Sequence, residues 1–342
     1  MGRSAPEMTR RYHVGIASVL RRCCFGVVGD VRLRSVFPVL TVLAVIVGIW
    51  YLAVAPMNIR PALDIAERGG AQIVPEGSVA RRDVAVWSLM ANNSEHVALG
   101  YALDRPRLPT PRQVGQEFWK TTGAMVQRGR AWSKRSLIYH GWITLRSTIW
   151  GFLLGTAVGI IGAVAIVYSR VAEMSLMPWA IISQTVPIVA LAPMIIVLSS
   201  QLGVEGRGLP KAIISAYLCF FPVLVGMVKG LRSPEGSQLD LLKTYNATGV
   251  QSFLKLRLPS SVPYLFTSLK VGIAAALVGT IVGELPTGAI SGLGARILIG
   301  DQFGTPLAIW SALFAAAILA GVLVTLLDLA QRATLRSMGM RI

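Results

Sequence analysis

The chain has 342 residues, 54% of them hydrophobic and only 14% charged. A soluble domain carries about 25% charged residues, so this composition excludes a water-soluble globular protein of this length. The formal net charge of +17 does not point to nucleic acid. The basic residues gather at the ends of apolar runs, where they orient a membrane protein, and no basic patch is interleaved with stacking aromatics.

Three cysteines make no disulfide framework: Cys23 and Cys24 are adjacent, and Cys219 lies inside an apolar run. His13, His96 and His140 are scattered and give no metal-ligand spacing. Several nearly charge-free windows reach the ~20 residues needed to cross ~30 Å of hydrocarbon. The expected fold class is an all-α integral membrane protein with six transmembrane helices.

In chain order, residues 1–35 are a basic leader, with Arg3, Arg10, Arg11, Arg21, Arg22, Arg32 and Arg34 against Glu7 and Asp30; by charge it is cytoplasmic. The first span is 36–55. Ala53-Val54-Ala55 has the small residues of a signal cleavage site, but the leader is long, the apolar run exceeds a signal core and Pro56 follows, so the span is read as uncleaved. Residues 56–141 are a polar stretch long enough to escape the positive-inside rule and are placed outside, and 56–107 of it form an extracytoplasmic insertion. It serves either to dock a partner or as a structural or disordered insertion. Residues 108–140 are an interfacial region, expected as a helix along the membrane surface anchored by Phe118, Trp119 and Trp132.

Residues 141–330 are a five-helix core. The second span, 141–168, carries Gly151, Gly155, Gly159 and Gly162, small residues that let helices pack closely in lipid. The third, 176–200, contains Pro187 and Pro193, the fourth is 211–228, the fifth 262–282 and the sixth 306–327. Residues 331–342 are a tail with Arg332, Arg336 and Arg341. With six spans and a cytoplasmic N-terminus, the C-terminus, Ser169-Arg170 and the segment 238–260 are inside, and 201–210 and 284–304 are outside.

The stretch 240–263, DLLKTYNATGVQSFLKLRLPSSVP, is a polar island between apolar runs: a short amphipathic helix, a break at Asn246, a second short helix and then Pro259 and Pro263. It resembles the cytoplasmic coupling segment of bacterial ABC importer permeases, the binding-protein-dependent inner-membrane component. That family's pattern is Glu-Ala-Ala, three residues, Gly, nine residues, Ile, one residue, Leu-Pro. Anchored on Leu258-Pro259, Leu256 takes the Ile position, Asn246 the Gly position, and Asp240-Leu241-Leu242 the Glu-Ala-Ala. The bend is therefore expected at Asn246 rather than at Gly249, since Asn is among the few residues besides Gly that visit positive φ.

Gln184-Thr185-Val186-Pro187, Cys219-Phe220-Phe221-Pro222 with Gly230-Leu231-Arg232, Ser268-Leu269-Lys270-Val271, Gly283-Glu284 and Gly292-Leu293-Gly294 resemble other parts of the family, over about 108–342. The branch is the one serving nitrate, sulfonates, taurine and pyrimidine or riboflavin-type compounds, with a lean to the heteroaromatic end.

The resemblance implies a type I ABC importer permease fold. Two copies of the chain, or one with a close paralogue, pair with two ABC ATPase subunits, and a periplasmic or lipid-anchored solute-binding protein delivers the solute. The location implied is the bacterial inner membrane. It implies an ATPase contact at Asp240, Leu241, Leu242, Thr244, Tyr245, Asn246, Ala247 and Thr248. No phosphate-binding glycine loop ending in Gly-Lys-Ser/Thr is present, so ATP and magnesium are expected on the partner, with no cofactor and no catalytic residue in this chain.

Candidates for the translocation path are Gln184, Pro187, Tyr217, Phe221 and Glu284. Each has a structural alternative. Gln184 and Pro187 serve packing; Tyr217 and Phe221 are ordinary packing aromatics; Glu284 caps a helix or pairs with Arg296. The competing function is a stand-alone secondary transporter or channel, which calls for inverted repeats and paired intramembrane charges. A membrane enzyme calls for a His, Asp or Cys constellation within the spans.

Overall fold

The computed structural model describes residues 13–203, 208–286 and 290–339. Arg3, Arg10 and Arg11 of the leader, Arg341 of the tail and parts of the two loops expected outside lie beyond the described residues. The chain forms two compact units, Met1–Pro111 and Arg112–Ile342. The described residues of both are helical, with turns and no strands.

In the first unit, α1 runs from His13 to Arg68 with Pro38, Pro56 and Pro61 inside it, and Phe37–Arg68 is apolar and long enough to cross a bilayer. The apolar run read as the first span stops at residue 55, but the helix continues through Pro56 to Arg68. An interior proline costs about 3 kcal/mol, and burial offsets it here: Val54, Ile59, Ala62 and Leu63 are wholly buried, Ile59 and Leu63 in a small core with Ile73 and Leu89 of the following segment. That segment contains α2 (Val86–Asn92).

Polar side chains pin it. Asn58 donates to the carbonyls of Gly100 (2.9 Å) and Leu108 (2.8 Å) and accepts from the Leu108 N–H. Arg81, 1% exposed, holds Asp64 at 2.6 Å and Glu67 at 2.5 Å. The hydrogen bond it donates to Glu67 lifts the Arg81 guanidinium above its ordinary range. Residues 57–106 are thus a folded cap rather than a loose insertion.

The second unit begins with α3 (Pro111–Thr121) and α4 (Gly123–Gln127). The single interfacial helix expected here is two short ones, parted at Thr122. Trp119 and Trp132 are exposed, whereas Phe118 packs on Leu137 and Leu293. The core follows: α5 (Leu137–Tyr168), α6 (Arg170–Ser183), α7 (Ile188–Gln201), α8 (Gly208–Leu231), α9 (Gly236–Thr244), α10 (Gly249–Ser252), α11 (Leu258–Glu284), α12 (Leu293–Gln302) and α13 (Pro306–Ser337). Five helical segments of the described residues are long and apolar enough to span a membrane; α6 and α7 together make a sixth, but bent by 103°. The expected kinked third span is a sharp break at 184–187, because the residue before Pro187 is driven from helical to extended backbone.

α8 is the central helix, with α5 on one side and α11 on the other. Gly151, Gly155 and Gly159 of α5 face it. A Cβ at Gly155 would stand 2.7 Å from the Ala216 carbonyl oxygen, and one at Gly159 2.9 Å from that of Phe220. On the other side, Gly226 of α8 meets Ser268 of α11, and Gly279 of α11 meets the Ile214 carbonyl. Backbones approach this closely because lipid supplies no hydrophobic drive between helices, leaving close packing to hold them. Gly155→Val is expected to lower thermal stability in detergent by about 1–3 kcal/mol through overpacking. Gly321→Ala, where a Cβ meets open space, is expected to be neutral or stabilising.

Candidate functional site

Two regions bear on function: the polar segment between α8 and α11, and a buried polar cluster at the other end of these helices.

The polar segment is built from caps. α9 starts in a capping box between Glu235 and Gln238 and ends with Asn246 at φ 55°, the positive-φ non-glycine among the described residues. The Asn246 N–H bonds to the Lys243 carbonyl (2.9 Å) and the Ala247 N–H to the Leu242 carbonyl (3.0 Å), the paired bonds of a Schellman C-cap. The bend therefore falls at Asn246, while Gly249 opens α10 behind a second capping box, Thr248 with Gln251.

The second helix does not stop. A π-helical turn at Phe253–Arg257, where the Leu258 N–H reaches the Phe253 carbonyl, joins α10 to α11, so Gly249–Glu284 is one continuous span. Pro259 and Pro263 contribute no N–H to the ladder, and the turn absorbs the mismatch.

The base is fixed. Arg257 donates to the Leu231 carbonyl (3.3 Å) and lies over the Tyr168 ring, which meets Phe253 edge to face. Phe253 and Leu258 pack on a core that includes Ile166, Met227 and Leu231. Above this base, Leu241 is 59% and Tyr245 78% exposed, with Val250 and Leu254 also exposed. Of the eight expected contact residues, Leu242 and Ala247 are half-buried, and Asp240, Leu241, Thr244, Tyr245, Asn246 and Thr248 are exposed. Among the described residues, Asp240 pairs with Lys243 of its own helix (2.9 Å).

Three of the five path candidates, Gln184, Pro187 and Tyr217, lie at the α6–α7 break, and Phe221 and Glu284 lie elsewhere. Gln184 caps the end of α6 and, like Pro187, is exposed at the α6–α7 break. The Tyr217 hydroxyl donates to the Ser183 carbonyl, satisfying an orphan group of that helix end. Phe221 lines a groove of about 580 Å³ between α8 and α11 with Lys229, Tyr264 and Val271. Phe220 lines a different cavity, with Trp179.

Glu284 is wholly buried. It pairs with Lys211 (3.3 Å), accepts from the Thr144 hydroxyl (3.1 Å) and accepts from the Gly294 N–H (2.8 Å). Its carboxylate sits at the N-terminus of α12, where negative charge is favoured. The remaining first-turn donors find partners on α5: Gly292 N–H on His140 Nδ1 (3.0 Å) and Leu293 N–H on the Thr144 hydroxyl (2.9 Å).

Because Nδ1 of His140 accepts and Nε2 faces the Lys134 carbonyl (2.9 Å), this pairing assigns the neutral Nε2–H tautomer. Gly292 has φ 131°, and a Cβ there would strike the Glu284 carboxylate at 2.2 Å. Of the structural alternatives for Glu284, helix capping is realised and pairing with Arg296 is not. Burial holds the Arg296 guanidinium below its ordinary range, opposed by the negative charge of Glu117. Lys211, His140 and Thr144 were missed as partners. A lysine at the first turn of an apolar span is the one signal that pointed to them.

Lys211→Met is expected to destabilise the protein by about 3–5 kcal/mol by leaving a buried carboxylate unpaired, and adding Glu284→Gln is expected to restore part of it; melting in detergent checks both. Asn246→Gly is expected to be nearly neutral to stability and Asn246→Val to cost about 1–2 kcal/mol at a left-handed residue.

Residues 155–339 match the family described as binding-protein-dependent transport system inner membrane component. The chain is 31% identical over 231 residues to a riboflavin transport system permease protein, RibX, of Chloroflexus aurantiacus, covering 67% of this chain and 80% of that one. It is 34% identical to a probable ABC transporter permease protein of Haemophilus influenzae, covering 54% and 69%. It is 30% identical to a formylaminopyrimidine transport permease protein, ThiX, of Halalkalibacterium halodurans, covering 54% and 71%. A solved inward-facing methionine ABC transporter, MetNI, aligns with a TM-score of 0.44 at 19% identity, covering 59% of this chain and 95% of that one. An all-helical core of membrane-spanning helices and a family match over more than half its length make this chain a member of the binding-protein-dependent transport system inner membrane components, the permease component of an ABC importer.

Proposed function

We propose that the chain couples ATP hydrolysis in a separate ATPase to solute import through the 236–257 segment, with the solute a small planar heteroaromatic of the riboflavin or pyrimidine type. In this reading two copies, or one copy and a paralogue, sit in the bacterial inner membrane with both termini in the cytoplasm. Two ATPase subunits bind Asp240, Leu241, Leu242, Thr244, Tyr245, Asn246, Ala247 and Thr248, and a solute-binding protein delivers from the opposite face. ATP and magnesium belong to the ATPase.

The observation that carries this reading is the pairing of exposed apolar side chains with a rigid mount. Leu241 of α9 and Tyr245, its C-cap residue, stand one turn apart and are 59% and 78% exposed. The helix bearing them is capped at both ends, and the continuous helix that follows is anchored to α5 and α8. Such a helix transmits a rigid-body displacement rather than absorbing it. The lean to a heteroaromatic solute is supported by the relatives named for riboflavin and formylaminopyrimidine, at 31% and 30% identity. Those named for aliphatic sulfonates and nitrate stand at 27% and 25%.

Leu241→Asp with Tyr245→Asp is expected to abolish co-purification with the ATPase and solute-stimulated ATP hydrolysis while leaving the melting temperature of the permease unchanged. Retained coupling in that double variant refutes the contact. Calorimetric titration of the binding protein with riboflavin, pyrimidines, sulfonates and nitrate tests the solute class. Binding of nitrate or sulfonates alone removes the heteroaromatic assignment.

A further inference from the structure

A groove of about 750 Å³ lies between α5 and α8, at the end away from the polar segment. Trp142, Arg146, Trp150 and Leu154 line it at four-residue spacing on α5, and Leu209 and Lys211 of α8 close its other side. Its two cations are unlike. Lys211 is buried and neutralised by Glu284. Arg146 is exposed and, among the described residues, forms no ion pair. Among the described residues, the groove therefore carries one positive charge without an ion-pair partner.

Its depth is set by the sequence. Residues 147–168 of α5 are free of charge, about 33 Å of helix, enough to cross the hydrocarbon. Arg146 sits at the edge of that run, at headgroup level. Trp142 and Trp150, 53% and 62% exposed, flank it as interfacial aromatics do. Leu154 and Leu209 continue the wall as apolar surface. One anionic oxygen group on an apolar tail matches this arrangement of one charge above a greasy wall. A free anion has no use for the wall, and a neutral lipid leaves the guanidinium unbalanced.

We propose that this groove is a binding site for one anionic phospholipid per chain, its phosphate on Arg146 and an acyl chain along Trp150, Leu154 and Leu209. Guanidinium suits the task because it binds a phosphate through two parallel N–H donors and is weakly hydrated.

The test is native mass spectrometry of the full-length chain, delipidated in mild detergent and given equal amounts of phosphatidylglycerol and phosphatidylcholine with the same chains. One phosphatidylglycerol per chain is expected to survive activation, with a preference over phosphatidylcholine of about fivefold for a single interfacial charge. Arg146→Gln is expected to remove that preference at unchanged melting temperature. Lys120→Gln, an exposed cation on α3, is expected to keep it. Trp150→Ala is expected to weaken retention of both lipids. Glycerol phosphate, the headgroup without chains, is expected not to compete. An unchanged preference in Arg146→Gln overturns the proposal. Displacement by glycerol phosphate assigns the groove to a soluble anion and overturns it as well. Should Arg146→Gln not fold, Arg146→Lys and Trp150→Ala decide: full wild-type retention in both refutes the site, and weakened retention in both supports it.

Discussion

The architecture of the membrane unit depends on how closely α8 approaches its two neighbours. Lipid offers no gain for burying leucine against leucine, so helices in it associate by packing, hydrogen bonds and shape. Here the shape is made by absence. Gly151, Gly155 and Gly159 let α5 reach the α8 backbone, and Gly272, Gly279 and Gly283 do the same from α11. Small polar groups then bond across the gap: Ser215 of α8 donates to the Ala276 carbonyl of α11 (2.9 Å), and Thr148 of α5 donates to the Thr280 hydroxyl (3.0 Å). Each bond is modest in lipid. Together with the close backbones they leave α8 little room to move alone.

Both functional regions hang on that helix. At one end, Met227, Val228 and Leu231 form the floor on which Phe253 and Leu258 sit, and the Leu231 carbonyl receives Arg257. At the other, Lys211 in the first turn of α8 neutralises Glu284 at the last residue of α11. The α11 helix is thereby fastened to α8 at both termini, and the π turn at Phe253–Arg257 lies just where the fastened region gives way to the exposed segment. Such turns commonly sit at functional sites. That turn joins the exposed segment to α11 without a break in the helix.

Much of this was legible in the residues, for identifiable reasons. The glycine spacing in 151–162 announced a close helix contact because in a membrane helix little else recommends glycine every fourth position. Asn246 announced a left-handed cap because the backbone demand is local and few side chains meet it. What was not legible is what the tertiary fold decides. Lys211 and Glu284 are 73 positions apart in sequence, and nothing in either neighbourhood says which charge will face the other; Arg296 was nearer in sequence and the natural guess. The apolar run that marks the first span stops at residue 55, whereas the helix runs on to Arg68, held by burial of Ile59 and Leu63 and by the bonds of Asn58. The break at 184–187 was marked by Pro187, but a kink of a few tens of degrees and a 103° bend share the same local signal, and packing selects between them.

The buried pair Lys211–Glu284 bears on how this protein can move. Forming such a pair in a low-dielectric interior gains little over apolar packing, but separating it exposes two charges at a cost of several kcal/mol. The pair is tied to the first turn of α12 through Gly294 and to α5 through Thr144. A movement that slid α5, α8 or α12 independently at this end would break several buried bonds together. Motions that keep the four helices as one block, and place the displacement at the α6–α7 break or between whole subunits, avoid that cost. The exposed Gln184–Pro187 bend lies outside that block and is tied to α8 through the Tyr217 hydroxyl on the Ser183 carbonyl, so displacement there leaves the buried pair intact.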